Sequence, residues 1–142
     1  MISIGCDHGA VDLKNQIIEH LKKRGIECRD VGAYTSESCD YPDYAHKVTD
    51  LVLSKECESG ILLCGTGIGM SMAANKVKGI RAALCSDCFS AQATKEHNNA
   101  NVLCMGARVI GPELAFRIAD TFLDSKFSED ERHIRRISKL ED

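Results

Sequence analysis

The 142-residue chain lacks three features, and each absence removes a class of function. It has no long apolar run. Segments such as Gly60–Cys64 fall far short of the roughly 20 residues that cross a bilayer, so no membrane partner is expected. It has no surplus of positive charge either. The net charge is −3 and basic residues are interspersed with acids, which removes the electrostatic footprint of a nucleic-acid binder. The opening MISIGCDHG begins as an apolar strand and lacks the basic start and apolar stretch of a secretion signal, so a cytoplasmic location is expected.

The composition that remains, 44% hydrophobic and 27% charged, is that of an ordinary globular protein. The length fits one domain, residues 1–142, able to bury a single core without metal or disulfide staples. Eight cysteines stand at positions 6, 28, 39, 57, 64, 85, 88 and 104, mostly inside apolar segments where free Cys acts as a small buried hydrophobe. Reduced thiols are expected in the cytosol. Only Cys85-Ser-Asp-Cys88 is closely spaced, and His97 alone does not supply the two further ligands that zinc would need, so no metal is expected.

Along the chain, short aliphatic or β-branched runs alternate with amphipathic stretches, the pattern of βαβ units around a parallel sheet. Strands are predicted at Ile2–Cys6, Glu27–Val31, Gly60–Cys64, Ala82–Cys85 and Val102–Met105. Val11, Leu13, Ile17, Ile18 and Leu21 recur at helical spacing, leaving Lys14, Glu19, Lys22 and Lys23 for the opposite face, and Gly25 ends that helix. Further helices are expected from about Asp43 to Leu53, Met70 to Asn75, Phe89 to His97 and Glu113 to Leu123, the last opened by Gly111-Pro112. The charged stretch Ser128–Leu140 carries a thin apolar stripe of Ile134, Ile137 and Leu140. It reads as an arm that docks on the body or on a second subunit. The predicted fold class is α/β: a three-layer α/β/α sandwich, a five-stranded parallel Rossmann-like sheet with a C-terminal helical arm. The order of the last two strands stays open.

Open parallel sheets bind ligands beyond the carboxyl ends of their strands. The third strand ends in Cys64-Gly65-Thr66-Gly67-Ile68-Gly69, where the glycines allow close backbone approach and the loop runs into a helix, so amide N–H groups should converge on one negatively charged spot. The spacing does not match a Rossmann fingerprint or a P-loop: it follows strand three, with no lysine and no placed acid. A reaction oxyanion is the other occupant, and it suits a thiol there, because helix amino termini favour the thiolate. The plain reading of Cys64 alone is a buried strand cysteine. Asp7-His8, ending strand one, could act on substrate or cap the next helix. His97 could be a surface cation at a helix end. Arg132 and Arg136, four apart, form either a solvated face or a phosphate clamp.

These residues match a known family. The chain resembles ribose-5-phosphate isomerase B and the related galactose-6-phosphate and allose-6-phosphate isomerases nearly end to end. The resemblance is carried by GCDHG at 5–9, DYPDYA at 40–45, GILLCGTGIGMSMAANKVKGIRAALC at 60–85, SAQ at 90–92, HNNANVLCMGARVIG at 97–111 and the arginine pair. It implies an aldose-ketose isomerase without metal or cofactor, working through an enediolate. Cys64 would move the proton and His97 would open the furanose ring. Thr66 and the backbone of Gly65, Gly67, Ile68 and Gly69 would hold the enediolate, and Asp7 would contact the sugar hydroxyls. His8, Arg108, Arg132 and Arg136 would surround the phosphate, Asn98 would bind substrate, and Tyr41 would line the pocket. The resemblance also implies a homodimer, possibly paired into a tetramer, in which His97, Asn98 and Arg108 come from the neighbouring subunit. Relatives that use a glutamate at the start of the next helix have no counterpart here, where Met70 stands. Ribose 5-phosphate and ribulose 5-phosphate are the expected pair. A six-carbon sugar phosphate is the alternative, and a non-catalytic sugar-phosphate binding module is a second.

Overall fold

The computed structural model describes residues 1–142. Five strands alternate with helices: β1 (Ile2–Cys6), α1 (Val11–Lys23), β2 (Cys28–Asp30), α2 (Tyr41–Leu53), β3 (Ser59–Cys64), α3 (Ile68–Asn75), β4 (Ala82–Leu84), α4 (Cys88–Asn98), β5 (Val102–Gly106), α5 (Pro112–Asp124) and α6 (Glu131–Leu140). The strands form one all-parallel sheet in the order β2-β1-β3-β5-β4. The last strand in sequence therefore lies inside the sheet and β4 is an edge. Both edge strands are shorter than their sequence patterns, three residues each, whereas β1, β3 and β5 are buried along their whole length.

Alternation along β3 sorts the core into two layers. Ile61 and Leu63 face a layer with Leu13, Ile17 and Leu21 of α1 and Ile118 and Phe122 of α5. Leu62 and Cys64 face the other layer, with Val48 of α2 and Met70 and Ala74 of α3. Each fully buried aliphatic or aromatic side chain contributes roughly 1.5–3 kcal/mol of transfer free energy, and α1, whose stripe supplies Ile17 and Leu21 with no exposure, is held to the sheet in this way.

Several boundaries differ from expectation. α2 begins at Tyr41, because Pro42 fits a first helical turn. α3 begins at Ile68, two residues early, because Gly67 as N-cap takes the left-handed conformation (φ 79°). A Cβ there would lie 2.8 Å from the Met105 backbone. The arm is helical only from Glu131, after Asp130 accepts the Arg132 N–H at 2.8 Å. Lys14 is the clearest correction. It was assigned to the solvent face of α1, yet it is fully buried. Its ammonium donates to both oxygens of Asp30 (2.7 and 2.9 Å) and to the Ala33 carbonyl (2.8 Å).

No helix is long and apolar enough to cross a membrane. All eight cysteines are free.

Candidate active site

The chain leaves β1 for β2 on one side and moves outward from β3 on the other, so the carboxyl ends of β1 and β3 flank a switch-point crevice. Asp7 and His8 follow β1, and Cys64 ends β3. Parallel pairing continues past the strands: Asp7 N–H donates to Leu63 O (3.1 Å), Ala107 N–H to Cys64 O (2.9 Å) and Arg108 N–H to Gly65 O (2.9 Å). The polar groups at this crest therefore stand on a hydrogen-bonded frame rather than on free loops.

Cys64 is 5% exposed, and its Sγ accepts the Gly67 N–H at 3.1 Å. That amide points at the sulfur from the helix amino terminus, the direction from which negative charge is stabilised. The first intrahelical bond of α3 runs from Ser71 N–H to Gly67 O, so the first-turn amides of Gly69 and Met70 have no intrahelical acceptor. Thr66 Oγ1 accepts the Ile68 N–H (3.2 Å) and stays exposed beside this array. Gly106 makes the arrangement possible, since a Cβ there would sit 2.6 Å from the Thr66 carbonyl. Burial pushes Cys6 up to about 12 and Cys85 and Cys28 to about 11, and drives Cys104 up further, so none of these is a ready base near neutrality.

Neither Asp7 nor His8 caps α1, whose N-cap is Ala10 with no side-chain bond. Asp7 Oδ1 accepts the Gly9 N–H at 2.9 Å, which turns its carboxylate at the strand end. His8 Nδ1 accepts the Cys39 N–H at 3.3 Å, so its Nε2 is left for a ligand. The Tyr41 ring lies over Gly69, within 2.8 Å of where a Cβ would be. Arg108 rests its guanidinium against Gly65 and Gly9 of the same chain. Its backbone bond to Gly65 ties Arg108 to the Cys64 end of its own sheet.

His97, Asn98, Arg132 and Arg136 lie elsewhere. α4 runs back from the carboxyl end of β4, so His97 and Asn98 in its last turn reach the amino end of β5. Val102 begins that strand and Gly106, paired with Cys64, ends it four residues later, a separation of about 13 Å at strand rise. α6 docks at the same amino end. Ser128 N–H donates to Glu96 O (3.0 Å), and Arg81 Nη1, just before β4, donates to Glu141 (2.6 Å). Of the arm's apolar stripe only Ile137 is half-buried, while Ile134 is 51% and Leu140 67% exposed. Arg132 is held by Asp130, which keeps that carboxyl down at about 2. One chain therefore assembles Asp7, His8, Tyr41, Cys64, Thr66 and Arg108, and carries the other four groups on its far end.

Lys14 and Asp30 escaped sequence reasoning because the pair joins elements 16 residues apart and leaves no local signature. They anchor the start of the segment from Gly32 to Cys39 that ends against His8. No group of three or more His, Cys, Asp or Glu side chains converges to hold a metal ion.

Comparison with known proteins follows the same lines. The family model described as Ribose/Galactose Isomerase matches residues 2–140. The ribose-5-phosphate isomerase B of Escherichia coli is 48% identical over 98% of this chain and 93% of its own length. A D-erythrulose-4-phosphate isomerase of Pectobacterium atrosepticum is 49% identical over 89% of this chain and 84% of its own. The crystal structure of a ribose 5-phosphate isomerase from Thermotoga maritima superposes with a TM-score of 0.96 at 53% identity, covering 99% of this chain and 96% of the other.

Proposed function

The chain belongs to the ribose/galactose isomerase family and is an aldose-ketose isomerase of sugar phosphates; from that premise we propose that it interconverts ribose 5-phosphate and ribulose 5-phosphate at a site completed by a second copy of itself. The observation that carries this reading is the Cys64 sulfur at the switch point, facing the Gly67 amide at 3.1 Å with Asp7 across the crevice.

Turnover then runs as follows. His97 of the second copy gives a proton to the ring oxygen as the bond from C1 to that oxygen breaks, and the anomeric hydroxyl releases its proton to solvent water as it becomes the aldehyde. Cys64 as thiolate takes the hydrogen from C2, and the electron pair moves through C1 to the carbonyl oxygen. The resulting enediolate lies against the Thr66 hydroxyl and the first-turn amides of α3, a preorganised donor array of the kind that contributes several kcal/mol. Cys64 returns the proton to C1 while a proton passes between the two oxygens, giving the ketose. Asp7 accepts hydrogen bonds from the sugar hydroxyls. The phosphate sits among His8 and Arg108 of one copy and Arg132 and Arg136 of the other, with Asn98 beside His97. Binding energy from this remote group holds the reacting carbons in place.

Two features support the second copy. The groups needed to complete the site lie at the far end of the sheet in their own chain. Exposed apolar side chains also crowd the segments leaving β3, β4 and β5: Ile68, Met72, Leu84, Phe89 and Val109, of which Phe89 is 79% exposed. A two-fold arrangement covers such a surface and brings the far end of each chain over the crest of the other.

Cys64→Ala is expected to lower turnover of ribose 5-phosphate by about a thousand-fold with substrate binding retained. Turnover near that of the wild type would remove Cys64 as the base. Catalytic efficiencies measured side by side on four-, five- and six-carbon sugar phosphates test the choice of sugar, and a preference for any but the five-carbon pair would overturn it.

A further inference from the structure

His97, the proton donor in the reading above, sits exposed in the last turn of α4, and its imidazole takes part in no hydrogen bond within the chain. An exposed side chain of this kind samples several rotamers, whereas proton delivery to one sugar oxygen needs a single ring orientation. One side chain restrains it. The His133 ring of α6 lies 4.5 Å from the His97 ring, centroid to centroid, with the planes tilted by 37°. This is contact distance for packed rings.

His133 is itself fixed from two sides. Its Nδ1 lies 2.6 Å from Ser128 Oγ. That hydroxyl oxygen already accepts the Asp130 N–H at 3.1 Å, so its one proton is free to be donated to Nδ1. The Ser128 backbone N–H in turn donates to Glu96 O on α4, at 3.0 Å, one residue before His97. Ser128, His133 and His97 thus form a short closed circuit: α4 holds Ser128, Ser128 orients His133, and His133 packs on the α4 residue that performs chemistry. None of these contacts buries an apolar core.

We infer that His133 is a positioning residue for ring opening, holding the His97 imidazole in its delivering orientation by ring packing while Ser128 sets the His133 ring. The inference rests on His97 being the group that opens the sugar ring. It assigns His133 no contact with substrate and no proton of its own.

The test separates ring opening from enolisation by choice of substrate. Ribose 5-phosphate closes to a furanose and must be opened. Ribulose 5-phosphate does not, because its C5 oxygen carries the phosphate and no other hydroxyl can close a five-membered ring on C2. Isomerisation of ribose 5-phosphate therefore reports both steps, whereas exchange of the C1 hydrogen of ribulose 5-phosphate with deuterated solvent reports the Cys64 step alone. With His133→Ala, isomerisation is expected to fall about tenfold, the scale of one lost ring contact, while C1 exchange stays within about twofold. His133→Phe, which keeps the packing, is expected to recover most of the loss. Helical circular dichroism of each variant checks that the arm still folds.

Equal losses in both assays, no loss in either, or a Phe variant as impaired as the Ala variant would overturn the inference. His97→Ala run alongside identifies where a failure lies. A selective loss in His97→Ala without one in His133→Ala rejects the positioning role alone. Equal losses in both assays for His97→Ala reject ring opening by His97, and the inference with it.

Discussion

At the carboxyl ends of the strands, Cys64, Asp7 and Arg108 are held by backbone pairing that continues beyond the sheet, above a fully buried core. The fully buried Lys14 and its partner Asp30 anchor the segment leading to His8. At the amino ends, His97, Asn98, Arg132 and Arg136 project from exposed helix ends. They are fixed by surface contacts: a capping Asp130, a Ser128 bond to Glu96 and the Arg81–Glu141 pair. The second group has no comparable frame in its own chain, which is why the proposed site draws it from a second copy.

The sharpest way to break this comparison is to disable the two ends separately. Cys64→Ala and His97→Ala should each lose about a hundred- to ten-thousand-fold in activity. If each site takes Cys64 from one chain and His97 from the other, unfolding, mixing and refolding equal amounts of the two variants should restore about a quarter of wild-type activity, because half the dimers are mixed and each has one intact site. No recovery would mean that the two ends of one chain serve one site or that no exchange partner exists. Recovery would show that each site is shared between two chains.

The next effect is on stability and probes the buried end. Asp30→Ala leaves the fully buried Lys14 ammonium with the Ala33 carbonyl and the Tyr34 ring but no counter-charge, and the cost expected for breaking a buried pair is about 3–5 kcal/mol. Lys14→Met should cost clearly less, because Asp30 is 30% exposed and can recover water. Urea midpoints of the two variants check the order; a larger loss for Lys14→Met would show that the ion pair is not the anchor described.

The smallest effect belongs to the exposed end. Arg132 depresses the Asp130 carboxyl to about 2, first through their side-chain bonds and then through the Arg132 backbone amide. A carboxyl whose folded pKa lies below its unfolded value stabilises fully above the ordinary carboxylate range, and loses that contribution as pH falls from about 4 through about 2. Protection factors of the α6 amides, which remove the intrinsic pH dependence of hydrogen exchange, should therefore fall over that window in the wild type. In Asp130→Ala they should be lower already at neutral pH and change less on acidification. Equal acid dependence in both proteins would assign the effect to another group.

Much of the fold was legible because hydrophobic period and glycine placement act locally. The runs at Ile2–Cys6 and Val102–Met105 and the stripe from Val11 to Leu21 predicted their elements to within a few residues. Helix starts shifted where one residue set the turn, as Gly67 and Pro42 do. The buried Lys14 was not legible, since a lysine on a helix is read as solvated unless its partner is known, and Asp30 becomes a partner only when β2 lies beside β1. In the site, Cys64 and Asp7 could be picked out as strand-end residues. Which of the arginines stand with them could not, because short-range sequence does not say at which end of the sheet Arg108 and Arg132 come to lie.

The amino-acid sequence by itself determined the family, the α/β class and the chemical groups in play, because residue type and short-range spacing encode helix, strand, turn and reactive side chain. Only the tertiary structure decided that β5 lies within the sheet, that Gly67 turns its amide onto the Cys64 sulfur, and that the candidate residues divide between two faces. That division follows from parallel topology. Every helix must carry the chain back along the sheet, so residues in its last turn emerge at the end opposite the strand tips, however close in sequence they stand to the residues they serve.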